Sequence, residues 1–408
     1  MSARALVVSL ACVALAAAAV SARPDQADTL LARARALHRA VPMIDGHNDY
    51  PWEMRMQADK DAARLDIRGA QPKTMTDVPR LRQGGVGAQF WSTYIPASLQ
   101  GQGAVTAELE QIDIVYQMLA RYPDTFELAR TADDVERIFK AGKIASMIGV
   151  EGGHAIDSSL GALRMFARLG AKYMTLTHSK NVPWADSATD TPEHGGLTPF
   201  GEDVVREMNR LGMLVDMSHV SPDTMEDVLR VTQAPVIFSH SSARALCDHP
   251  RNVPDAILEK LPANGGVVMV SFVRGFTTAA AAAWDTAKEA EQARAEQAHP
   301  NDAPAVKAAM DAWITAHPSP PVTIANVADH IDHVRAVAGI DHVGIGSDFD
   351  GISAGPDGLE DVSTFPKLTA ELLRRGYTDE DVKKVLGLNL LRVMRTAEAT
   401  AARLGAAR

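Results

Sequence analysis

Short apolar runs alternate along the chain with longer amphipathic stretches. Eight runs have the length and composition of buried strands, at 41–45, 86–91, 144–150, 172–177, 213–218, 235–239, 266–272 and 342–347. Helical spacing of apolar residues lies between them, for example at 106–122, 161–170, 200–212 and 224–232. Eight strand and helix units in 408 residues predict an α/β fold, a (β/α)8 barrel of the TIM type, with a doubly wound open sheet as the alternative.

One stretch interrupts this repeat. Residues 276–321 are rich in alanine and charge, and they predict two helices broken near 299–304. We interpret them as a helical insertion after the seventh strand, serving as a lid or a subunit contact. A capped helix is predicted over 378–399, and residues 23–408 are predicted to form a single domain because no repeat or long linker divides them.

The first residues indicate export. Arg4 precedes an apolar run over 5–20 that is short for a membrane span, and a Val-Ser-Ala sequence ends at Ala22. We expect residues 1–22 to be a cleaved signal and the product to be periplasmic or secreted, with an uncleaved anchor or a lipid at Cys12 as alternatives. Cleavage leaves Cys247 alone, which excludes an internal disulfide. The C-terminus carries no apolar tail, so no GPI anchor is expected.

The overall composition limits the classes of function that the chain can have. With 46% hydrophobic and 23% charged residues the chain can bury a large core. The formal net charge is −10 and no concentrated basic footprint is present, which argues against a nucleic-acid partner. Chemistry on small molecules or peptides is therefore favoured.

Chemically active side chains follow the predicted strands. Barrel active sites lie at the carboxyl ends of the strands, and these ends carry His47 with Asp49, Gln89 and Trp91, Glu151, His178, His219, His240, Ser271 and Asp348. If the first strand continues through IDGHNDYPW, alternation places His47 and Asp49 on one face as a chelating pair. A turn is the alternative, because Asp, Gly and Asn are turn formers.

Ionisable groups that converge on one buried rim are costly unless a cation compensates them, so the pattern predicts a metal site. Histidine and carboxylate ligands without thiolates suit zinc, with manganese, cobalt and iron as alternatives. Five candidate ligands exceed the number that one catalytic zinc uses: His47, Asp49, Glu151, His219 and His240. Two metals that share one carboxylate resolve this count, with Glu151 as the natural bridge.

Several motifs together resemble a known family. The motifs are IDGHNDYPW, GVEGGH, LTHSKNVPWAD, DMSHVS, FSHSSARALCDHPRNVPD, GIGSDFDG and GLNLLRV. In this order they are similar to the membrane (renal) dipeptidases, a family of dinuclear zinc amidohydrolase-like barrel peptidases, from about residue 37 to 397. The insertion is longer than in the animal members. The chain also lacks their GPI signal and their additional cysteines, so the membrane anchor and the disulfide-linked dimer of that branch are not expected here. A homodimer is compatible with the resemblance.

The resemblance implies a metal-ligand set. His47 and Asp49 would bind one zinc ion, and His219 and His240 would bind the second. Glu151 and a hydroxide would bridge the two ions of each subunit.

The resemblance also implies roles toward a dipeptide substrate. His178 would hydrogen-bond the substrate carbonyl and its tetrahedral oxyanion, and Arg251 would hold the free carboxylate. Asp348 would move the proton, with Asp350 as the runner-up. A guanidinium that captures a carboxylate one residue past the scissile bond favours a dipeptidase over an endopeptidase.

Three functional hypotheses follow. The first is a zinc-dependent dipeptidase that uses a metal-bridged hydroxide, with dipeptides carrying a C-terminal D-residue and dipeptide-like lactams as further substrates. The second is another amidohydrolase-type enzyme, such as a deaminase, a phosphotriesterase, or a lactam or ester hydrolase. Those enzymes usually carry His-x-His on the first strand and often a carboxylated lysine bridge, whereas this chain has His-x-Asp and Glu151. The third is a non-catalytic exported binding protein on the same scaffold. It predicts that metal-ligating residues have been lost, whereas every expected one is present.

Overall fold

The computed structural model describes residues 24–406, and within that range nine strands form one parallel sheet. They are β1 (Met43–Asn48), β2 (Val86–Tyr94), β3 (Phe126–Leu128), β4 (Ile144–Glu151), β5 (Ala171–Thr175), β6 (Leu214–Asp216), β7 (Ile237–Phe238), β8 (Val267–Val270) and β9 (Val343–Ile345). All eight predicted strands are present, with ends shifted by a few residues.

The sheet closes on itself. Its order is β2-β1-β9-β8-β7-β6-β5-β4, and β2 pairs with β4 over seven residue pairs from Ala88↔Ala145 to Tyr94↔Glu151. This closure confirms the eight-stranded barrel and excludes the open sheet. The short β3 stands outside the ring and pairs only with residues 144–146 of β4. It was not predicted, because three residues are too few to show a period.

Helices cover the barrel. The helix bounds are α1 (Pro24–Ala40), α2 (Tyr50–Ala58), α3 (Val78–Gly84), α4 (Gln102–Arg121), α5 (Ala132–Lys140), α6 (Leu160–Leu169), α7 (Pro199–Leu211), α8 (Pro222–Val231), α9 (Asp255–Leu258), α10 (Leu261–Asn264), α11 (Arg274–Thr277), α12 (Ala279–Ala298), α13 (Ala303–Ala316), α14 (Ile324–Ala338), α15 (Phe365–Arg374), α16 (Asp379–Lys383) and α17 (Asn389–Ala406). Several begin where the sequence offers a cap, for example α5, whose Thr131 and Asp134 form a reciprocal capping box.

Two apolar clusters hold the layers together. The larger one lies between the strands and the surrounding helices. The smaller one collects residues from seven of the ring strands and from α5 and α17, including Phe90, Met147, Tyr173 and Met269. Because these side chains fill one end of the barrel, the polar groups that follow the strands are left at the other end.

The predicted insertion is helical. After β8 the chain forms α11, then α12 and α13, which are separated by residues 299–302, and then returns to the barrel through α14. The rings of Trp284 on α12 and Trp313 on α13 pack with their centroids 5.7 Å apart. The insertion is therefore a helical pair that packs on itself beside the barrel mouth.

The predicted terminal helix is interrupted. It begins at the Thr378 cap as expected, but Gly387 departs from helical geometry and a wider turn over 384–388 separates α16 from α17. A Cβ at Gly387 would collide with the Pro42 carbonyl and the Ile44 side chain. The interruption therefore lets this helix approach the start of β1 closely.

Two further expectations concern the termini and cysteines. No helix within residues 24–406 is both long and apolar enough to cross a membrane. Cys247 is buried and unpaired. The predicted signal, residues 1–22, lies outside the described residues.

Candidate metal centre and active site

Seven predicted side chains meet at one end of the barrel. Each ends a strand or follows one closely, and all are buried or half-buried. Their donor atoms form three overlapping groups, each within 4.8 Å: His47, Glu151 and His240; Glu151, His178 and His219; His47, Asp49 and Asp348. Geometry alone therefore offers seven donors for cations, two more than the five predicted ligands.

The first pair is close for a reason other than the predicted one. His47 Nε2 and Asp49 Oδ2 are 3.2 Å apart. However, β1 ends at Asn48, its register is irregular after Asp45, and Asp49 is the residue that precedes α2. Strand alternation is thus the wrong explanation. The tight turn from the strand into α2 brings the carboxylate back beside the imidazole.

Glu151 lies at the centre of the group. Its Oε1 is 3.1 Å from His219 Nε2 and 3.5 Å from His240 Nε2. Its Oε2 is 3.5 Å from His47 Nε2 and accepts a 3.1 Å hydrogen bond from the Ser92 hydroxyl. One carboxylate therefore faces both histidine positions, as a bridging ligand must.

Tyr173 on β5 orients His47. Its hydroxyl is 2.9 Å from His47 Nδ1 and 3.2 Å from the Gly46 carbonyl. Since the hydroxyl hydrogen goes to the carbonyl, the oxygen accepts the Nδ1–H of His47. This orientation turns Nε2 toward the centre, where it is buried 3.2 Å from Asp49 Oδ2 and 3.5 Å from Glu151 Oε2 without a well-aligned hydrogen bond to either. Gly149, opposite Tyr173 on β4, leaves the space that the ring fills.

A second relay orients His240. Its Nδ1 lies 2.8 Å from the Ser239 hydroxyl, which donates in turn to Asp216 Oδ2 at 2.5 Å. Asp216 also accepts the Thr175 hydroxyl at 2.7 Å. Nδ1 of His240 is therefore the donor, and Nε2 presents its lone pair 3.0 Å from His219 Nε2. This relay was not predicted from the sequence, although a carboxylate at the end of β6 indicated a polar residue there.

These observations fit a divalent-metal centre. The donors are imidazole nitrogens and carboxylate oxygens, a set suited to zinc and its neighbours. The outer ring nitrogens of His47 and His240 are held by hydrogen bonds, which is the usual arrangement behind metal-binding histidines. Nε2 of His47 is the clearest single indication, because it is buried between two carboxylates without a well-aligned hydrogen bond to either, an arrangement that is costly unless a cation lies between them.

The electrostatics of the centre favour added positive charge. Burial alone would lower the pKa of His47, but Tyr173, Glu151 and Asp49 raise it well above its ordinary value. Burial alone would raise the pKa of Glu151, yet His47 and His178 hold it well below its ordinary value. The carboxylate is therefore ionised and available as a ligand.

The remaining histidines are neutral. Burial lowers the pKa of His219 and of His240 well below the ordinary value, and Arg251 lowers both further. Burial also lowers the pKa of His178. Neutral imidazole is the form that binds a metal or donates a single hydrogen bond.

Three site residues adopt a left-handed backbone. The φ angles are 70° at His219 and 67° at both Asp348 and Asp350. Such conformations cost about 1–3 kcal/mol for residues other than glycine, and they concentrate at functional sites. Gly351 has a related role, because a Cβ there would collide with the carboxylates of Asp49 and Asp348.

The two candidate proton shuttles differ in their contacts. Asp348 is half-buried, and its carboxylate belongs to the group with His47 and Asp49. Burial raises the pKa of Asp348 well above its ordinary value. Asp350 instead accepts the backbone N–H of Met75 at 2.5 Å. Asp348 is thus the one that lies next to the cluster of donors.

A cleft of about 460 Å³ opens above the centre. His178 lies in its wall with Nε2 3.6 Å from Glu151 Oε1, and the ring of Tyr94 lies 4.9 Å from that of His178. Arg251 lines the cleft with its side chain almost fully buried. Its hydrogen bonds to Ser241 and to the His240 carbonyl are both long, at 3.4 Å.

Two strand-end residues have structural roles. Gln89 donates to Asp45 at 3.0 Å, and Asp45 accepts the backbone N–H of Ser347 at 2.7 Å. Trp91 is fully buried and donates to Ser146. These contacts tie β1, β2, β4 and the end of β9 together below the site.

Comparison with known proteins gives one consistent relationship. The family model described as membrane dipeptidase (peptidase family M19) matches residues 31–408. Dipeptidase verJ of Clonostachys rogersoniana is 43% identical over 382 residues, which cover 91% of this chain and 88% of that protein.

Solved structures agree in fold. The probable dipeptidase PvdM from Pseudomonas aeruginosa superposes with a TM-score of 0.79 at 24% identity, over 92% of this chain and all of that one. A metallopeptidase from Rhodobacter sphaeroides, solved with a phosphinate mimic of the dipeptide L-Ala-D-Ala, has a TM-score of 0.72 at 25% identity. It covers 88% of this chain and 99% of its own.

Proposed function

The chain belongs to the membrane dipeptidase family, peptidase family M19, and from this membership we propose that it cleaves dipeptides with two zinc ions. That it is a metallopeptidase acting on dipeptides follows from the family and its relatives. The zinc ions, their ligands and the role of each site residue are the proposed part.

One observation carries the metal assignment. The Nε2 atoms of His47, His219 and His240 all lie within 3.5 Å of Glu151, and His47 Nε2 also lies 3.2 Å from Asp49 Oδ2. We assign His47 and Asp49 to one ion, His219 and His240 to the other, and Glu151 to both. Two bound zinc ions would polarise the peptide carbonyl and make hydroxide available at neutral pH.

The side chains around the ions would guide the substrate. His178, neutral and partly open to the cleft, would donate a hydrogen bond to the carbonyl oxygen and to the oxyanion that replaces it. Asp348, whose pKa is raised, would take up the proton of the nucleophile and deliver it to the leaving amine.

Arg251 would limit the substrate to two residues. Its guanidinium is buried, burial lowers its pKa to about 10, and it therefore remains charged at neutral pH. Since its own hydrogen bonds are long, most of its donors can serve a substrate carboxylate. A carboxylate there would end the substrate one residue after the scissile bond. The L-Ala-D-Ala mimic bound by the Rhodobacter sphaeroides structure supports including D-residues at this position.

A dipeptide panel with parallel metal analysis tests this proposal. The panel would contain Gly-L-Ala, Gly-D-Ala, a tripeptide and a simple lactam, and zinc would be quantified in each preparation. We expect two zinc ions per chain, cleavage of dipeptides and no cleavage of the tripeptide. A preparation that holds two zinc ions and cleaves no dipeptide would contradict the proposal and favour another amidohydrolase reaction.

We further propose that the protein is exported and that it works as a homodimer. Export rests on the composition of residues 1–22. N-terminal sequencing of protein purified from the periplasm or medium should begin at Arg23, and a mature chain that retains Met1 would refute cleavage. Sedimentation analysis of the same sample would measure the mass in solution. Twice the mass of one chain would support the homodimer, and the mass of a single chain would refute it.

A further inference from the structure

A second cavity adjoins the catalytic cleft. It has a volume of about 750 Å³, and it shares His219, Arg251 and Phe276 with the cleft. The opposite wall comes from the insertion helix α12, through Asp285, Lys288 and Glu289 among others. We name this space the side compartment. It extends the cleft between the insertion helix α12 and barrel residues such as Ser179, Thr189 and His249.

The wall from α12 carries unpaired negative charge. Asp285 and Glu289 form no hydrogen bond and no ion pair with any residue of the described range. The Lys288 ammonium lies over the ring of Trp284, 5.5 Å from its centre, rather than in an ion pair with these carboxylates. Arg274, which is also nearby, pairs with Asp357 at 3.5 Å. Lys288 and Arg274 therefore act on Asp285 only through space, and both carboxylates keep their oxygens available to a further cation.

Arg251 stands at the junction of the two cavities. Arg251 is only 5% exposed, and its guanidinium lies 5.2 Å from the centre of the Phe276 ring. If the free carboxylate of a dipeptide binds there, as proposed above, the Cα of the second residue lies at the same junction. The side chain of that residue then has the side compartment in front of it.

We propose that the side compartment binds the side chain of the C-terminal residue of the dipeptide and favours a cationic one, such as lysine or arginine. This inference rests on the proposed function. The carboxylates of Asp285 and Glu289 provide the attraction, and the volume accommodates a long side chain. Because Asp285 is half-buried and Glu289 is exposed, solvent screens both carboxylates, and each contributes a modest preference, about 2- to 5-fold in kcat/KM.

Matched dipeptides measure this preference. L-alanyl-lysine and L-alanyl-norleucine have side chains of similar length that differ in charge, and each would be made with an L or D second residue. We expect wild-type kcat/KM to be higher for the lysine peptide, mainly through KM, and the ratio to fall as salt screens the charges. In Asp285→Asn and Glu289→Gln the ratio should drop about 2- to 5-fold.

Two controls locate the effect. Asp311→Asn on α13 removes the same charge from an exposed carboxylate that pairs with Lys307 and lies outside the compartment, and it should leave the ratio unchanged. The reversed peptides, lysyl-alanine and norleucyl-alanine, should not respond to Asp285→Asn. A ratio unchanged in both compartment variants, or an equal response with the reversed peptides, would overturn the inference while dipeptidase activity stands. Failure to cleave any dipeptide would instead overturn the proposed function, and this inference with it.

Discussion

Replacing Tyr173 by phenylalanine tests whether the outer contacts of the centre set its metal affinity. The variant keeps the ring that packs in the barrel and removes only the hydroxyl. It therefore removes the 2.9 Å contact with His47 Nδ1 and the 3.2 Å contact with the Gly46 carbonyl. The His47 ring is then free to rotate or to change its tautomer.

The structure gives the size of the effect. His47 and Tyr173 are fully buried, so no water replaces the lost acceptor. An unsatisfied buried donor costs about 1–3 kcal/mol of stability. Loss of an outer partner of a metal-binding histidine costs about 10- to 100-fold in metal affinity. We expect zinc affinity to fall by that factor in Tyr173→Phe.

Zinc affinity would be measured by competition with a chromogenic chelator, and stability by urea unfolding of the metal-free protein. Tyr116→Phe is the matched control, because its hydroxyl donates to the Leu169 carbonyl at 2.5 Å, away from the site. The control should lose stability and keep its zinc affinity. If Tyr173→Phe binds zinc as tightly as wild type while losing stability like the control, the orienting role of Tyr173 is refuted.

Four further variants at three positions test the bridging carboxylate, the carboxylate-binding arginine and a buried glutamate. Glu151→Gln should lose at least one zinc ion and nearly all activity together, and full activity in this variant would contradict a bridging carboxylate. Arg251→Ala should raise KM by about 10- to 100-fold with a smaller change in kcat, since a buried charge-assisted contact is worth about 1.5–3 kcal/mol; Arg251→Lys should recover only part of this because lysine lacks the fork. Glu108 on α4 is fully buried, neither carboxyl oxygen has a well-aligned hydrogen bond, and burial raises its pKa to about 8 although the Thr93 hydroxyl lowers it. Its folded pKa thus lies above the unfolded value of about 4.3. The contribution of Glu108 to the free energy of unfolding is therefore highest below pH 4.3, and it is lost progressively as the pH rises to about 8. Glu108→Gln should therefore gain a few kcal/mol relative to wild type between pH 5 and pH 8 in urea unfolding with chelator present, and parallel pH curves would contradict this.

The ring of strands was predictable because each strand is a distinct apolar run. The same runs located the site, since parallel strands in a barrel send their carboxyl ends to one rim. His219 and His240 come from different strands, and only this topology brings their Nε2 atoms to 3.0 Å. The residues that follow the strands could thus be identified from the sequence.

Other features depend on closure of the barrel. Tyr173 lies inside a strand, 126 residues from His47, and nothing in its local pattern indicates their contact. Ser239 and Asp216 likewise form their relay only when β6 and β7 pair. The side compartment could not be predicted, because helical spacing in α12 does not tell which face of the helix meets Arg251.

The proposed mechanism requires the imidazoles and carboxylates from separate strands to hold two divalent ions. Crystals of the zinc-loaded protein, measured above and below the zinc absorption edge, test it most directly. Two anomalous peaks are expected, one beside His47 and Asp49 and one beside His219 and His240, with Glu151 in contact with both. A single peak, or peaks away from Glu151, would contradict it.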